Sequence, residues 1–182
     1  MTVTTEELID PTGFEIARDE PTLAPRPGTL ARLTVGLLDN TKPNATPLLD
    51  EIGDALERRF GVGATRRYTK DYFGTPAKTD LIDRIALECD VVVTAVGDCG
   101  SCSAATVADG ILFERAGTPA VSVCSDTFLV SGRAMAQLQG FPDYEFLTVP
   151  HPVASLDRPA LRERAVAIVD DVARVLGTGA AR

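Results

Sequence analysis

A chain of 182 residues, 45% apolar and with charges of both signs interspersed, has the make-up of a single globular domain and not of a disordered or fibrous protein. Its formal net charge of -8 repels phosphate backbones and anionic lipid, and a doublet such as Arg66-Arg67 is too short to make a basic patch, so neither nucleic acid nor a membrane surface is an expected partner. Met1 to Leu8 shows no basic region followed by an apolar run, no stretch approaches bilayer-spanning length, and four irregularly spaced cysteines do not make a secreted disulfide scaffold, so a cytoplasmic setting with reduced thiols is expected.

Residues 1–28 carry acidic residues and prolines with little apolar periodicity, which predicts an irregular arm ahead of an α/β domain spanning 29–182. Ala31 to Asp39 reads as a buried strand. Thr46-Pro47 then offers an N-cap followed by proline at the first helical position, and Leu48, Leu49, Ile52, Leu56 and Phe60 share one helical face before Gly61. A short strand near Ala64 to Tyr68 and a helix from about Thr79 to Glu88 follow. Asp90 to Val96 is strongly β-branched and reads as the next strand. A helix over about Ser103 to Ala116 ends at Gly117, and Pro119 to Cys124 is the fourth strand. Thr127 to Leu138 reads as helix, Tyr144 to Val149 as a fifth strand, and Ala160 to Leu176 as an amphipathic helix with Ala165, Ile168, Val169, Val172 and Leu176 inward.

Strands alternating with helices imply parallel pairing through right-handed crossovers, hence a flavodoxin-like doubly wound sheet of about five strands in three layers, with the first strand central. Such sheets take ligands beyond the carboxyl ends of their strands. Collected on that rule, the rim holds Asp39-Asn40-Thr41-Lys42, Thr69-Lys70-Asp71-Tyr72, Asp98-Cys99-Gly100-Ser101-Cys102-Ser103, Ser125-Asp126-Thr127 and Pro150-His151-Pro152.

Cys99 and Cys102 carry the chemical argument, because only a thiolate is a good nucleophile and a helix N-terminus offers unpaired N–H groups to stabilise it. An ionised Asp98 opposes this, and the backbone donors are expected to win for whichever sulfur points into the helix end. The plain alternative, two small buried hydrophobes, suits Cys89 and Cys124 better than a Gly- and Ser-rich turn. His151, the sole histidine, follows the last strand directly and is a candidate proton shuttle, although a lone histidine is often only a hydrogen-bonded surface or core residue. Lys42 and Lys70 would hold an anionic group such as a carboxylate if they face the pocket, and otherwise are solvated side chains. Asn40, Thr41, Ser103, Ser125 and Thr127 are candidate hydrogen-bonding contacts to a substrate, with capping and turn formation as their ordinary explanations.

With Gly97-Asp98 before it, Cys99-Gly100-Ser101-Cys102 resembles the motif of the UGSC family, small proteins named for selenocysteine-Gly-Ser-Cys in which cysteine replaces selenocysteine in many members. Leu8-Ile9-Asp10-Pro11-Thr12-Gly13 and Pro150-His151-Pro152 resemble further family segments. The resemblance implies that Cys99 stands at the selenocysteine position as the attacking or redox-active atom, with Cys102 as its partner. A weaker resemblance links Asp39-Asn40-Thr41 and Cys99 to the aspartate/glutamate racemase superfamily, which includes maleate isomerases and arylmalonate decarboxylases. The second catalytic cysteine of that superfamily, in a Gly-Cys-Thr context, is absent here; what the likeness implies is the one-domain fold and an anion-binding rim.

The leading expectation is a cofactor-independent, thiol-dependent enzyme, an oxidoreductase or a lyase or transferase. In it Cys99 attacks an electrophilic carbon or sulfur of a small carboxylated substrate, Cys102 resolves the adduct and His151 carries the proton, with a thiol reductant as a further partner. An isomerase, racemase or decarboxylase that uses Cys99 for proton transfer is a rival. Another is a metal site made of Cys99, Cys102, Cys124 and His151, although a single Cys-x-x-Cys lacks the second pair that marks a zinc knuckle. The sequence leaves homo-oligomerisation open.

Overall fold

The structure, a computed structural model, describes residues 22–177. Its elements run β1 (Thr34–Asp39), α1 (Ala45–Phe60), β2 (Ala64–Thr69), α2 (Thr79–Glu88), β3 (Val91–Gly97), α3 (Gly100–Arg115), β4 (Ala120–Ser125), a single 3-10 turn (Asp126–Phe128), α4 (Leu129–Leu138), β5 (Leu147–Val149) and α5 (Arg158–Gly177). The five strands form one all-parallel sheet in the order β2-β1-β3-β4-β5, the flavodoxin-like arrangement, with its switch point between β1 and β3.

The central strand is β3, not β1. All seven residues of β3 are buried, as a Val-rich run covered on both faces must be. The chain steps outward from β1 to the edge strand β2 and then crosses back over β1, a choice made by tertiary packing that no local pattern encodes. The expected neighbourhood survives, because β1 and β3 pair directly and the Asn40 N–H donates to the Ala95 carbonyl at 3.0 Å.

Alternation along each strand sorts the core into two halves. Val35, Leu37, Val91, Val93, Val121 and Val123 pack against the apolar faces of α1 and α5. Leu38 and Val92 meet Ile82, Ile85 and Phe113 of α2 and α3 on the opposite side, where Val107, Ile111, Cys124 and Ala136 continue the layer toward α4.

Local boundaries differ from expectation where side chains find distant partners. Thr46 lies inside α1, whose N-cap is Asn44 in a left-handed conformation; the Asn44 amide instead donates to the carbonyls of Val153 and Leu156, both at 2.9 Å. Gly61 closes α1 with φ 66°, the left-handed cap that favours glycine. β5 is shorter than expected because Tyr144 is spent in the core, its hydroxyl 3.1 Å from that of Ser122. Of the expected arm, residues 1–21 lie outside the described residues, as do Leu8 to Gly13 and residues 178–182. Residues 22–28 run outside the sheet as a strap: the Arg26 guanidinium pairs with the buried Glu114 carboxylate at 2.7 Å and donates to the Val175 carbonyl, and the Gly28 N–H donates to the Gly177 carbonyl. No helix among the described residues is long and apolar enough to cross a membrane.

Candidate functional site

At the end of β3 the chain turns through Gly97-Asp98 straight into α3, which begins at Gly100, three residues before the expected start. Gly97 is there because nothing larger fits: a Cβ would lie 2.6 Å from the Cys124 sulfur and 2.7 Å from the Ser103 Cα. That close approach makes Cys99 the N-cap, and the Cys102 N–H donates to its sulfur at 3.4 Å. The Ser101 hydroxyl lies 3.7 Å from the same sulfur.

The helix end therefore serves Cys99. Burial pushes its thiol up, but the Cys102 thiol and N–H, the Ser101 hydroxyl and the positive charge of Lys42 together hold it below the ordinary thiol range. Cys102 is fully buried and is pushed up to about 12 by that burial and by the neighbouring Cys99. Its sulfur accepts the Asp98 N–H at 3.1 Å and faces the Cys99 carbonyl at 3.3 Å. Cys89 and Cys124 are buried, and desolvation raises both thiols, Cys124 to about 12; all four cysteines are free.

Asp98 does not oppose the thiolate as expected, because its carboxylate points away along the rim. It accepts the N–H groups of Val153 (3.2 and 3.1 Å) and Ala154 (2.9 Å) and lies 2.9 Å from His151 Nδ1. Burial raises its pKa, yet Ala154, Ser125, Val153 and His151 outweigh this and hold the carboxyl below its usual range. His151 is anchored at its backbone as well, where its N–H donates to Asp126 at 3.1 Å. Its ring meets Phe128 edge-on at 5.4 Å and leaves 35% of the side chain open. Among the described residues no hydrogen bond joins His151 to either thiol; Asp98 is the link, touching the Cys102 sulfur with its main chain and the imidazole with its side chain.

Lys42 is half-buried at the same rim, its ammonium 4.6 Å from the centre of the Phe73 ring, and its charge reaches both thiols. Thr41 and Thr127 are exposed at neighbouring turns, with Thr127 Oγ1 3.4 Å from Asp126.

The other candidates are occupied elsewhere. Lys70 is 3% exposed, ion-paired with Asp109 of α3 and bonded to the Thr75 carbonyl; Asp109 also accepts the Ala77 N–H, so the pair braces the loop after β2 and is not open to a substrate. Asn40 donates to the Val96 carbonyl (2.8 Å) and Thr106 Oγ1 (3.0 Å) and accepts from Lys42 N–H, which uses up its amide in joining the end of β1 to β3 and α3. Ser103 is buried beneath Gly97, away from the rim. Ser125 is a support of the histidine, its hydroxyl 3.2 Å from both the Gly97 carbonyl and His151 Nδ1. Phe73 and Asp109 carried no sequence signal; Ser101 stood in the motif without a role assigned to it, and Asp98 was read with the wrong direction. A cleft of about 330 Å³ is formed by the loop after β2 and the start of α2, with Lys70, Tyr72, Ala77 and Arg84 in its lining, and reaches none of Cys99, Cys102 or His151.

No group of three or more His, Cys, Asp or Glu side chains among the described residues is placed to hold a metal ion. The four candidate ligands are divided, since the Cys124 sulfur faces the Ser103 carbonyl in the core and His151 Nδ1 faces Asp98.

Fold and site together define a flavodoxin-like α/β protein with a paired-thiol turn at its sheet rim. The chain belongs to the UGSC family, whose model matches residues 7–178 and so takes in both the Cys99 to Cys102 motif and His151. No curated protein and no solved structure matches it, and the likeness to the racemase superfamily gains no support from these comparisons.

Proposed function

We propose that the protein is a thiol-dependent enzyme that uses the Cys99 thiolate as nucleophile toward a small anionic substrate and Cys102 as the resolving thiol. The observation that carries this reading is the asymmetry of the pair: a partly accessible sulfur capped by a helix N-terminus and held low, beside a buried sulfur held protonated. Nucleophile and resolving thiol need that order of acidity, because the first must be a thiolate at rest and the second must wait. Lys42, whose charge already reaches the sulfur and which makes no ion pair among the described residues, supplies the contact for a substrate carboxylate.

With a disulfide substrate, the Cys99 thiolate forms a bond to one substrate sulfur while the S–S bond breaks and the first thiolate leaves. Cys102 then gives up its proton and attacks Cys99 Sγ, expelling the second thiolate. The protein is left as the Cys99–Cys102 disulfide, oxidised by two electrons that now reside on the two released thiolates, and a thiol reductant must restore it.

A nitrobenzoate aryl disulfide, which carries a carboxylate on each half and releases a coloured thiolate, tests this directly. The wild-type protein should release both halves rapidly and be left with a Cys99–Cys102 disulfide. Cys102→Ser should release one half and retain the other on Cys99, seen by mass spectrometry, and Cys99→Ser should show no rapid release. Reaction of Cys99 no faster than that of Cys89 or Cys124 defeats the proposal.

A further inference from the structure

The second half of that chemistry requires a base, because Cys102 is held neutral by burial and cannot attack until its proton leaves. His151 is the candidate, and which of its ring nitrogens is available follows from the groups around Nδ1. Asp98 Oδ1, 2.9 Å away, belongs to a carboxylate that accepts from Val153 and Ala154 N–H, as an ionised group does. Ser125 Oγ, 3.2 Å away on another side, finds acceptors for its own hydrogen in the Gly97 carbonyl and the Asp98 carboxylate. Both oxygens therefore face Nδ1 as acceptors, and Nδ1 must carry the hydrogen. Nε2 makes no hydrogen bond among the described residues, and a third of the side chain is open at the rim.

We infer that Asp98 and Ser125 are positioning residues for His151, fixing the tautomer with hydrogen on Nδ1 so that Nε2 is the atom that takes the proton from Cys102. This use of Nε2 rests on the thiol reading above; the tautomer does not. No direct hydrogen bond joins the ring to the buried sulfur, so the transfer needs a solvent relay or a movement of the ring. The resulting imidazolium keeps its Nδ1–H against the Asp98 carboxylate and returns the added proton to solvent once the Cys99–Cys102 bond has closed. Asp98 is suited to couple the two because its N–H holds the Cys102 sulfur while its side chain holds the ring.

Because the chain has one histidine, nitrogen-15 NMR of the full-length labelled protein reads the tautomer without assignment, at a pH where the ring is neutral. The expected pattern is a protonated Nδ1 and a bare Nε2; hydrogen on Nε2, or an even mixture, overturns the inference. In Asp98→Asn, whose amide can itself donate to Nδ1, the population should move toward the Nε2–H form. With the aryl disulfide, the ratio of second-release to first-release rate should fall about a hundredfold in His151→Gln and in Asp98→Asn, the lower end of the usual range for loss of a general base. An unchanged ratio overturns the role of Nε2. If Asp98→Asn does not fold, the wild-type tautomer and the His151→Gln ratio still decide. Absence of the first release from wild-type protein, with the expected tautomer present, defeats the thiol reading and leaves the positioning of His151 standing.

Discussion

Cys99 and Cys102 lie one helical turn apart, yet their thiols move in opposite directions from the ordinary value. The backbone explains this: Cys99 sits just outside the helix and receives the Cys102 N–H, whereas Cys102 lies inside the first turn with its sulfur buried against the N–H of Asp98. Lys42 adds its charge from the β1 side of the rim. In Lys42→Met the alkylation profile of Cys99 should therefore shift to higher pH, slowing reaction at neutral pH on the order of threefold. Superimposable profiles would remove Lys42 from the site. Gly97→Ala acts on the same sulfur through shape, because its Cβ meets the backbone of Ser103 and the α3 N-terminus must move. It should cost about 1–3 kcal/mol in urea unfolding, as overpacked sites do, and raise the Cys99 thiol by withdrawing its cap. Unaltered stability together with an unaltered alkylation profile would contradict the close approach.

Helix α3 is the element on which site and fold meet: its first turn caps Cys99, and its middle carries Asp109 and Gly110 into the core. Lys70 and Asp109 are both nearly inaccessible, so removing one partner leaves a buried charge alone. Lys70→Met should destabilise by about 3–5 kcal/mol, and Lys70→Met with Asp109→Leu should recover much of it. Losses in Lys70→Met and Asp109→Leu that simply add in the double variant would show that the pair is not coupled. The outcome also separates Lys70, a brace for the β2–α2 loop, from Lys42, whose loss should change reactivity far more than stability. Much of this element was legible. The β-branched run before it, the Gly-Ser-Cys turn and the closing Gly117, at φ 82°, all announce strand, helix and stop. Its first residue was not, since Gly100 and Ser101 are weak helix formers and Cys99 has to be seen as a cap before they read as helical. Lys70 finds its partner 39 residues along the chain, and Asp98 spends its carboxylate 53 to 56 residues ahead, not on the cysteines beside it. Sequence proximity suggested repulsion where the fold provides an anchor. The identity of the central strand was hidden for the same reason, because β1 and β3 are both plain buried strands until β2 is seen to lie outside β1.

At the scale of the whole molecule, Asp98 ties the middle of the sheet to the connection between β5 and α5, so its ionisation bears on stability. In the folded protein Ala154, Ser125, Val153 and His151 hold its carboxyl below the usual carboxylate range against the cost of burial, while in the unfolded chain it returns to that range. The unfolded state thus binds a proton more readily, and the stabilisation is fully present above the ordinary carboxylate pKa. It fades as pH falls from there through the depressed folded value. Glu51 adds to the same limb, lowered by the Arg162 hydrogen bond over the opposing cost of burial and helped by Arg158, both contacts joining α1 to α5. Urea midpoints measured from neutral to acid pH should fall steeply in the wild type. Asp98→Asn should start lower at neutral pH and fall less steeply, because the amide has no proton to gain and the remaining slope is left to Glu51 and the other carboxylates. Parallel curves for the two proteins would mean that Asp98 titrates alike in both states, and its contacts with Val153, Ala154 and His151 would then contribute nothing that depends on its charge.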